Sequence, residues 1–210
     1  ISKSGAHINE SGCGNTIASQ RPMMRKFILD AVEYWVGAYH IDGFRFDQMG
    51  FMDIPTMMLV EERLRALNPY VLLYGEGWGD ALAIDYWGWP EDDRKEGNSV
   101  TRLVKTAVAG TPFAAFNDDI RDAIRGSVFE SATRGFVLNA LAKVKKIKSG
   151  AVGSIDFSKT EKGFADDPQQ TINYAACHDN HTLWDKNTLA AKADSSYAWT
   201  EADLVRAQKL

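Results

Sequence analysis

Apolar side chains recur at helical spacing in two segments near the start of the chain. The first segment predicts a helix from Pro22 to Tyr39, with Pro22 in the first turn, where a missing N–H does no harm. The second predicts a helix from Pro55 to Leu67, which Asn68-Pro69 would end. A short apolar run follows each helix and predicts a strand. This order of helix, strand, helix and strand is typical of a parallel α/β array.

Three apolar runs predict strands, and an acid follows each of them within a few residues. The pairs are Ile41 to Phe46 with Asp47, Val71 to Tyr74 with Glu76, and Thr171 to Cys177 with Asp179. In parallel α/β proteins, functional sites are built at the carboxyl ends of strands. We therefore expect the three acids to lie at one edge of a sheet.

The remaining segments are less regular. They are a Gly-, Ser- and Asn-rich loop over 1–18, a long loop over 77–111 with Trp87, Trp89 and Pro90, a short helix within 116–124, a helical pattern within 133–148 and a polar insertion over 150–167. Long loops in compact domains are usually functional, so the loop over 77–111 is a candidate part of a site.

The last helical pattern, Glu201 to Leu210, begins after Thr200, a good N-cap residue, and stops without a capping residue. A closed eight-stranded β/α barrel needs about 250 residues, and no more than about four strands are indicated here. We therefore expect the chain to be a piece of a larger barrel enzyme.

Composition and motif content argue against several classes of protein. The 210 residues are 45% hydrophobic and 11% aromatic, with a net charge of -4. This balance favours a folded core and argues against a nucleic-acid-binding protein, which usually carries a basic face. No apolar run is long enough to span a membrane. Cys13 and Cys177 form neither a disulfide framework nor a metal-binding spacing, and no glycine-rich nucleotide-binding motif is present.

The acid Asp47 has a cationic neighbour on its own predicted strand. Arg45 lies two residues upstream, so both side chains point to the same face. A guanidinium stabilises the ionised form of a carboxylate, which suits a nucleophile in a retaining glycosidase. A purely structural ion pair explains these two residues equally well.

The other two acids have different neighbours. Glu76 lies between Gly75 and Gly77 and precedes Trp78, which suits a general acid in an apolar setting that a substrate can approach closely. An exposed Glu in a glycine-rich turn is the alternative. Asp179 follows His178, and this pair suits binding of sugar hydroxyls. A metal site at His178 and His181 is the rival interpretation.

Several segments with these residues resemble a known family. They are "DGFRFD" (42–47), "LLYGEGW" (72–78), "HDNHTLWDK" (178–186), "GCGN" (12–15), "RPMMRKFILD" (21–30) and "FNDDIRDAIRG" (116–126). Together they resemble the type I pullulanases of glycoside hydrolase family 13, the α-amylase superfamily. The resemblance covers nearly the whole chain and is weakest near residues 150 to 168.

The resemblance implies a partial (β/α)8 TIM barrel, roughly strands 4 to 7, with residues 1–210 forming part of the catalytic domain. It implies retaining hydrolysis of α-1,6 branch links in pullulan, amylopectin and limit dextrins. Asp47 matches the nucleophile, Glu76 the acid/base and Asp179 the transition-state stabiliser. Arg45 matches the arginine beside the nucleophile, and His178 the histidine that contacts the sugar.

Trp78 matches an aromatic residue beside the acid, which suits stacking on a branch glucose or packing. An α-glucan is the expected partner, and no cofactor is expected. A structural Ca²⁺ is compatible with the family, but no residue pattern indicates one. Both secreted and cytoplasmic bacterial-type enzymes fit the resemblance.

The chain also departs from the family pattern. Gln48 stands where the family usually has Leu, and Thr16 and Gln20 replace an Asp and a Glu near "GCGN". The first conserved region, with its Asn-His pair, is absent, as are strands 1 to 3 and 8 and the accessory domains. Two alternatives therefore stay open: an α-1,4-acting amylase or neopullulanase-like hydrolase, and an inactive fragment that only binds α-glucan.

Overall fold

The computed structural model describes residues 7, 9–79, 101–156, 158, 160 and 162–209. The chain divides into two compact units, Ile1–Ala115 and Phe116–Leu210. Trp87, Trp89 and Pro90 lie outside the described residues. Within the described residues, no helix is long and apolar enough to cross a membrane.

The first unit alternates helices with parallel strands. Its elements are α1 (Pro22–Tyr39), β1 (Gly43–Phe46), α2 (Ile54–Leu67), β2 (Leu72–Gly75) and β3 (Ala114–Phe116), whose last residue opens the second unit. β1 pairs with β2 in a register that sets Phe46 opposite Gly75. β2 pairs with β3, with Tyr74 opposite Ala114. The predicted parallel α/β order is confirmed in this unit.

Local sequence explains why the two helices begin where they do. Pro22 occupies the first turn of α1, and the residue that follows the helix, His40, has a left-handed backbone. Asp53 caps α2 by accepting the Thr56 N–H at 2.9 Å, and it also accepts the Ser19 hydroxyl at 2.6 Å. An N-cap carboxylate satisfies a backbone donor that the helix leaves without an intrahelical partner.

Buried apolar side chains of the helices, the strands and the segment before β3 form the core of this unit. They include Leu29, Val32, Met57, Val60, Leu64, Leu73, Leu103, Val108 and Phe113. Leu73 belongs to β2, the strand that Glu76 follows, whereas the residues of β1 are half-buried. The end of β2 is therefore held by a packed interior.

The second unit contains shorter elements. They are α3 (Asp118–Arg125), α4 (Val144–Ala151), β4 (Thr171–Ile172), α5 (Leu183–Ala193) and α6 (Glu201–Ala207). The Asn117 N–H bonds to the Ile172 carbonyl at 3.0 Å, which places β4 beside the chain that leaves β3. The strand order is therefore β1-β2-β3-β4. A cluster of Leu138, Ala190, Ala191 and Ala207 packs α5 against α6.

Several predicted boundaries need correction. The prediction for α1 is confirmed, whereas α2 starts one residue earlier and β1 starts at Gly43 rather than Ile41. The third predicted strand ends at Ile172 rather than Cys177, and the next residue, Asn173, donates its side-chain amide to the Gly150 carbonyl at 2.7 Å. The helical pattern within 133–148 is continuous only from Val144. The helix predicted for Glu201 to Leu210 ends at Ala207.

The sequence pattern predicts neither β3 nor α5. β3 is only three residues long and contains two alanines, so it lacks the β-branched residues that signal a strand. α5 follows directly from the predicted HDN segment, and its N-cap Thr182 accepts the Asp185 N–H at 3.1 Å.

Candidate active site

Asp47 and Glu76 directly follow two neighbouring parallel strands. β1 ends at Phe46 and β2 ends at Gly75, and these two residues are partners in the strand register. The Glu76 N–H continues this ladder by bonding to the Phe46 carbonyl at 3.1 Å. The register therefore sets the backbones of the two acids side by side at one edge of the sheet.

Arg45 joins the two carboxylates. Its Nη1 forms an ion pair with Asp47 Oδ1, and its Nη2 lies 2.6 Å from Glu76 Oε1. The sequence predicted the first of these contacts but not the second, because the second depends on the pairing of β1 with β2. One guanidinium therefore holds both acids in a single arrangement.

The two carboxylates have different surroundings. The Glu76 side chain is 8% exposed, whereas that of Asp47 is 69% exposed. Glu76 Oε2 also accepts the Gln48 N–H at 2.9 Å. Burial disfavours a charged carboxylate, and hydrogen-bond donors favour it. Glu76 is therefore both shielded from water and fixed by two donors, while Asp47 faces solvent.

The segment after Glu76 is pressed against the turn that follows β1. The Gly50 N–H bonds to the Glu76 carbonyl at 2.8 Å. A Cβ on Gly50 would overlap the backbone of Trp78, and one on Gly77 would overlap the backbone of Lys105. The glycines beside Glu76 and in the facing turn therefore allow backbones to pack closely. Trp78 itself is half-buried.

Gln48 connects the site to the loop that contains the GCGN segment. Its backbone is left-handed, with φ of 48°, and its side-chain amide lies 3.2 Å from both the Ser11 carbonyl and Cys13 Sγ. Cys13 is exposed. Gln48, one of the residues that depart from the family pattern, thus contacts the loop through its side chain and Glu76 through its backbone N–H.

In the second unit, His178 and Asp179 lie on an exposed turn. Their side chains approach to 3.6 Å and are 63% and 61% exposed. Because β4 ends at Ile172, Asp179 does not directly follow a strand as predicted. Asn180, the next residue, has a left-handed backbone with φ of 65°. Among the residues that the structure describes, no group of three or more His, Cys, Asp or Glu side chains could hold a metal ion.

Two buried cations lie in the same unit as this turn. Arg125 contacts backbone carbonyls on both sides of it, and Lys186 contacts the backbone carbonyls of Glu130 and Ser131. Burial and the neighbouring charge of Arg121 lower the pKa of Arg125. Burial and the neighbouring charge of Arg125 lower the pKa of Lys186. The sequence alone predicts no role for either residue, although both lie in segments that resemble the family.

Comparison with known proteins identifies relatives of the chain. It is 38% identical to a pullulanase of Bacillus subtilis (strain 168) over 190 residues, which are 89% of this chain and 24% of the relative. The chain is homologous to part of the type I pullulanases of glycoside hydrolase family 13. The predicted resemblance is thereby confirmed. No protein-family model matches the chain.

Solved pullulanase structures share the fold of this chain. The type I pullulanase of Bacillus subtilis str. 168, complexed with maltose, superposes with a TM-score of 0.78 at 35% identity over 92% of this chain and 25% of that chain. The Paenibacillus barengoltzii pullulanase, complexed with maltohexaose and α-cyclodextrin, gives 0.78 at 37% identity over 90% of this chain and 28% of that chain. The α/β fold therefore matches part of a pullulanase, and the chain spans about a quarter of the length of these relatives.

Proposed function

We propose that this chain carries catalytic residues of a retaining α-1,6-glucan debranching hydrolase. The observation that supports this best is the Arg45 guanidinium, which joins Asp47 and Glu76 at the ends of two paired strands. Two carboxylates in different surroundings are what glycosidic bond cleavage requires. Homology to type I pullulanases supports the α-1,6 linkage over the α-1,4 linkage.

In this proposal Asp47 is the nucleophile and Glu76 the acid/base. Asp47 is the more exposed of the two acids and is ion-paired with Arg45, so a substrate can reach it. It attacks the anomeric carbon while protonated Glu76 gives its proton to the leaving oxygen. Glu76 then takes a proton from water, which attacks the same carbon and frees Asp47.

The remaining predicted residues take binding roles in the proposal. Arg45 orients the two acids, Asp179 stabilises the transition state through sugar hydroxyls, and His178 binds the sugar at the cleavage subsite. Trp78 offers an aromatic face for a branch glucose. We further propose that the strands of this chain correspond to roughly strands 4 to 7 of a (β/α)8 barrel and that the ligand is an α-glucan.

The proposal is tested by the products that the protein, as its gene encodes it, releases from pullulan. We expect maltotriose, and we expect Asp47→Asn and Glu76→Gln each to lower kcat by about a thousandfold or more. Asp30→Asn is the matched control, since Asp30 is an exposed carboxylate on α1 that pairs with Lys26. This variant should keep full activity.

Three results would contradict the proposal. Panose as the product would mean α-1,4 cleavage, which is the amylase or neopullulanase-like alternative. Binding of maltotriose without any hydrolysis of pullulan would mean a non-catalytic α-glucan-binding protein. Normal turnover in either acid variant would rule out the assigned roles.

A further inference from the structure

Arg125 lies at the end of α3, within the FNDDIRDAIRG segment, for which the proposed chemistry has no role. Arg125 is 1% exposed. Its Nη1 donates to the Ala175 carbonyl at 3.1 Å. Its Nη2 donates to the Thr182 carbonyl at 3.2 Å and also to the His181 carbonyl. One buried guanidinium therefore binds three backbone carbonyls of a single stretch of chain.

These carbonyls flank the turn with the predicted sugar-binding residues. Ala175 precedes His178 and Asp179, and His181 and Thr182 follow them. The side chains of His178 and Asp179 are exposed, so the packing of those side chains does little to fix the turn. The arginine fork, with several donors in a planar geometry, holds both ends of the turn at a set separation.

We propose that Arg125 is a positioning residue that holds the turn of His178 and Asp179 in its catalytic conformation. This inference rests on the proposed function, because it assigns Arg125 an effect on the step that Asp179 assists. Arg125 does not touch the substrate. It acts through the backbone on both sides of the turn, and so fixes where the Asp179 carboxylate meets the sugar.

Lysine cannot reproduce this arrangement. An ammonium group is a compact point charge, whereas the guanidinium spreads its donors across a plane and reaches carbonyls that lie apart. We therefore expect Arg125→Lys to keep the buried charge but to release one end of the turn. A displacement of about 1 Å in a positioned group can cost about 100-fold in rate.

The test uses the protein as its gene encodes it. For each variant, kcat and KM are measured with pullulan as the substrate, and the midpoint of thermal unfolding is measured on the same preparation. For Arg125→Lys we expect kcat to fall by about 10- to 100-fold with KM changed by less than about threefold. For Arg125→Ala we expect a larger loss and partial recovery of kcat when guanidinium is added at millimolar concentration. Guanidinium should not change the kcat of the unaltered protein at that concentration.

Lys186→Met is the matched control. Lys186 is also 1% exposed, and its Nζ donates to the carbonyls of Glu130, Ser131 and Thr133. This variant removes a buried cation from the same unit but leaves the three carbonyl contacts of Arg125 in place. We expect a lower unfolding midpoint with kcat unchanged and no response to guanidinium.

Each outcome decides the question. If Arg125→Lys keeps its kcat while its unfolding midpoint falls like that of Lys186→Met, Arg125 is merely structural and the inference is wrong. Failure of both Arg125 variants to fold would also reject it, since the residue would then serve the fold rather than the turn. If the unaltered protein does not release maltotriose from pullulan, the proposed function itself is wrong. If the unaltered protein and the Arg125→Lys variant are equally active, the proposed function stands and only the role of Arg125 is wrong.

Discussion

The two places in the chain that carry the proposed chemistry are held in different ways. In the first unit, Glu76 is buried and is contacted directly by Arg45 and by the Gln48 N–H. In the second unit, Asp179 is 61% exposed, and the buried contacts nearby are made by the backbone around it. The first acid is fixed through its own carboxylate, and the other through the chain on which it sits.

This difference has a physical reason. A buried carboxylate needs donors to offset its lost hydration, so the structure that surrounds Glu76 also orients it. An exposed carboxylate is hydrated and needs no such partner, so its position must come from the backbone. Substitutions that disturb the contacts of Glu76 should therefore lower the free energy of unfolding strongly, and substitutions at Asp179 should not.

The largest effect on stability should come from Arg45→Ala. It removes the cation from the buried Glu76 carboxylate, which retains the Gln48 N–H as a donor. We expect the free energy of unfolding to fall by about 3 kcal/mol, as for a broken buried ion pair. Asp179→Ala, at an exposed position, should change it by less than about 0.5 kcal/mol. Urea unfolding of both variants checks this, and equal losses would remove the contrast between the two acids.

A smaller effect should come from Gly50→Ala, which tests the close packing beside Glu76. The added Cβ would overlap the Trp78 backbone, so the turn after β1 has to shift. We expect the free energy of unfolding to fall by about 2 kcal/mol, which is typical of overpacking. Gly37→Ala in the interior of α1 is the control, because its Cβ would meet nothing within 4 Å. That substitution should stabilise the protein by about 0.5 to 1 kcal/mol. A stable Gly50→Ala protein would mean that the turn is not held tightly.

The smallest effect concerns how the stability of the second unit changes with pH. Hydrogen bonds from Ser196 and Trp199 lower the pKa of Asp194 to about 2 from its ordinary value of 3.8. Because the pKa is lower in the folded state, the stabilisation is present above about pH 4 and is lost as pH falls towards 2. Asp194→Asn should remove this part of the acid dependence. Unfolding midpoints of both proteins between pH 2 and pH 6 measure it, and parallel curves would contradict the assignment.

Most of the correct predictions came from two sequence features: apolar residues at helical spacing, and acids that directly follow short apolar runs. The bounds of α1 follow from its apolar spacing and from Pro22, because both are local properties of the chain. The placement of Asp47 and Glu76 directly after strands followed from short apolar runs. Predictions failed where tertiary contacts replaced a local pattern, as after Ile172, where the Asn173 side-chain amide donates to the Gly150 carbonyl.

The sequence by itself determined the family, the alternation of helices and strands in the first unit, and the candidate acids. These are local properties, since residue type and spacing along the chain carry them. Only the tertiary structure decided that Arg45 contacts Glu76 as well as Asp47, and that Arg125 contacts both ends of the Asp179 turn. Both depend on strand pairing and packing between residues that lie roughly thirty to sixty positions apart, which no local pattern encodes.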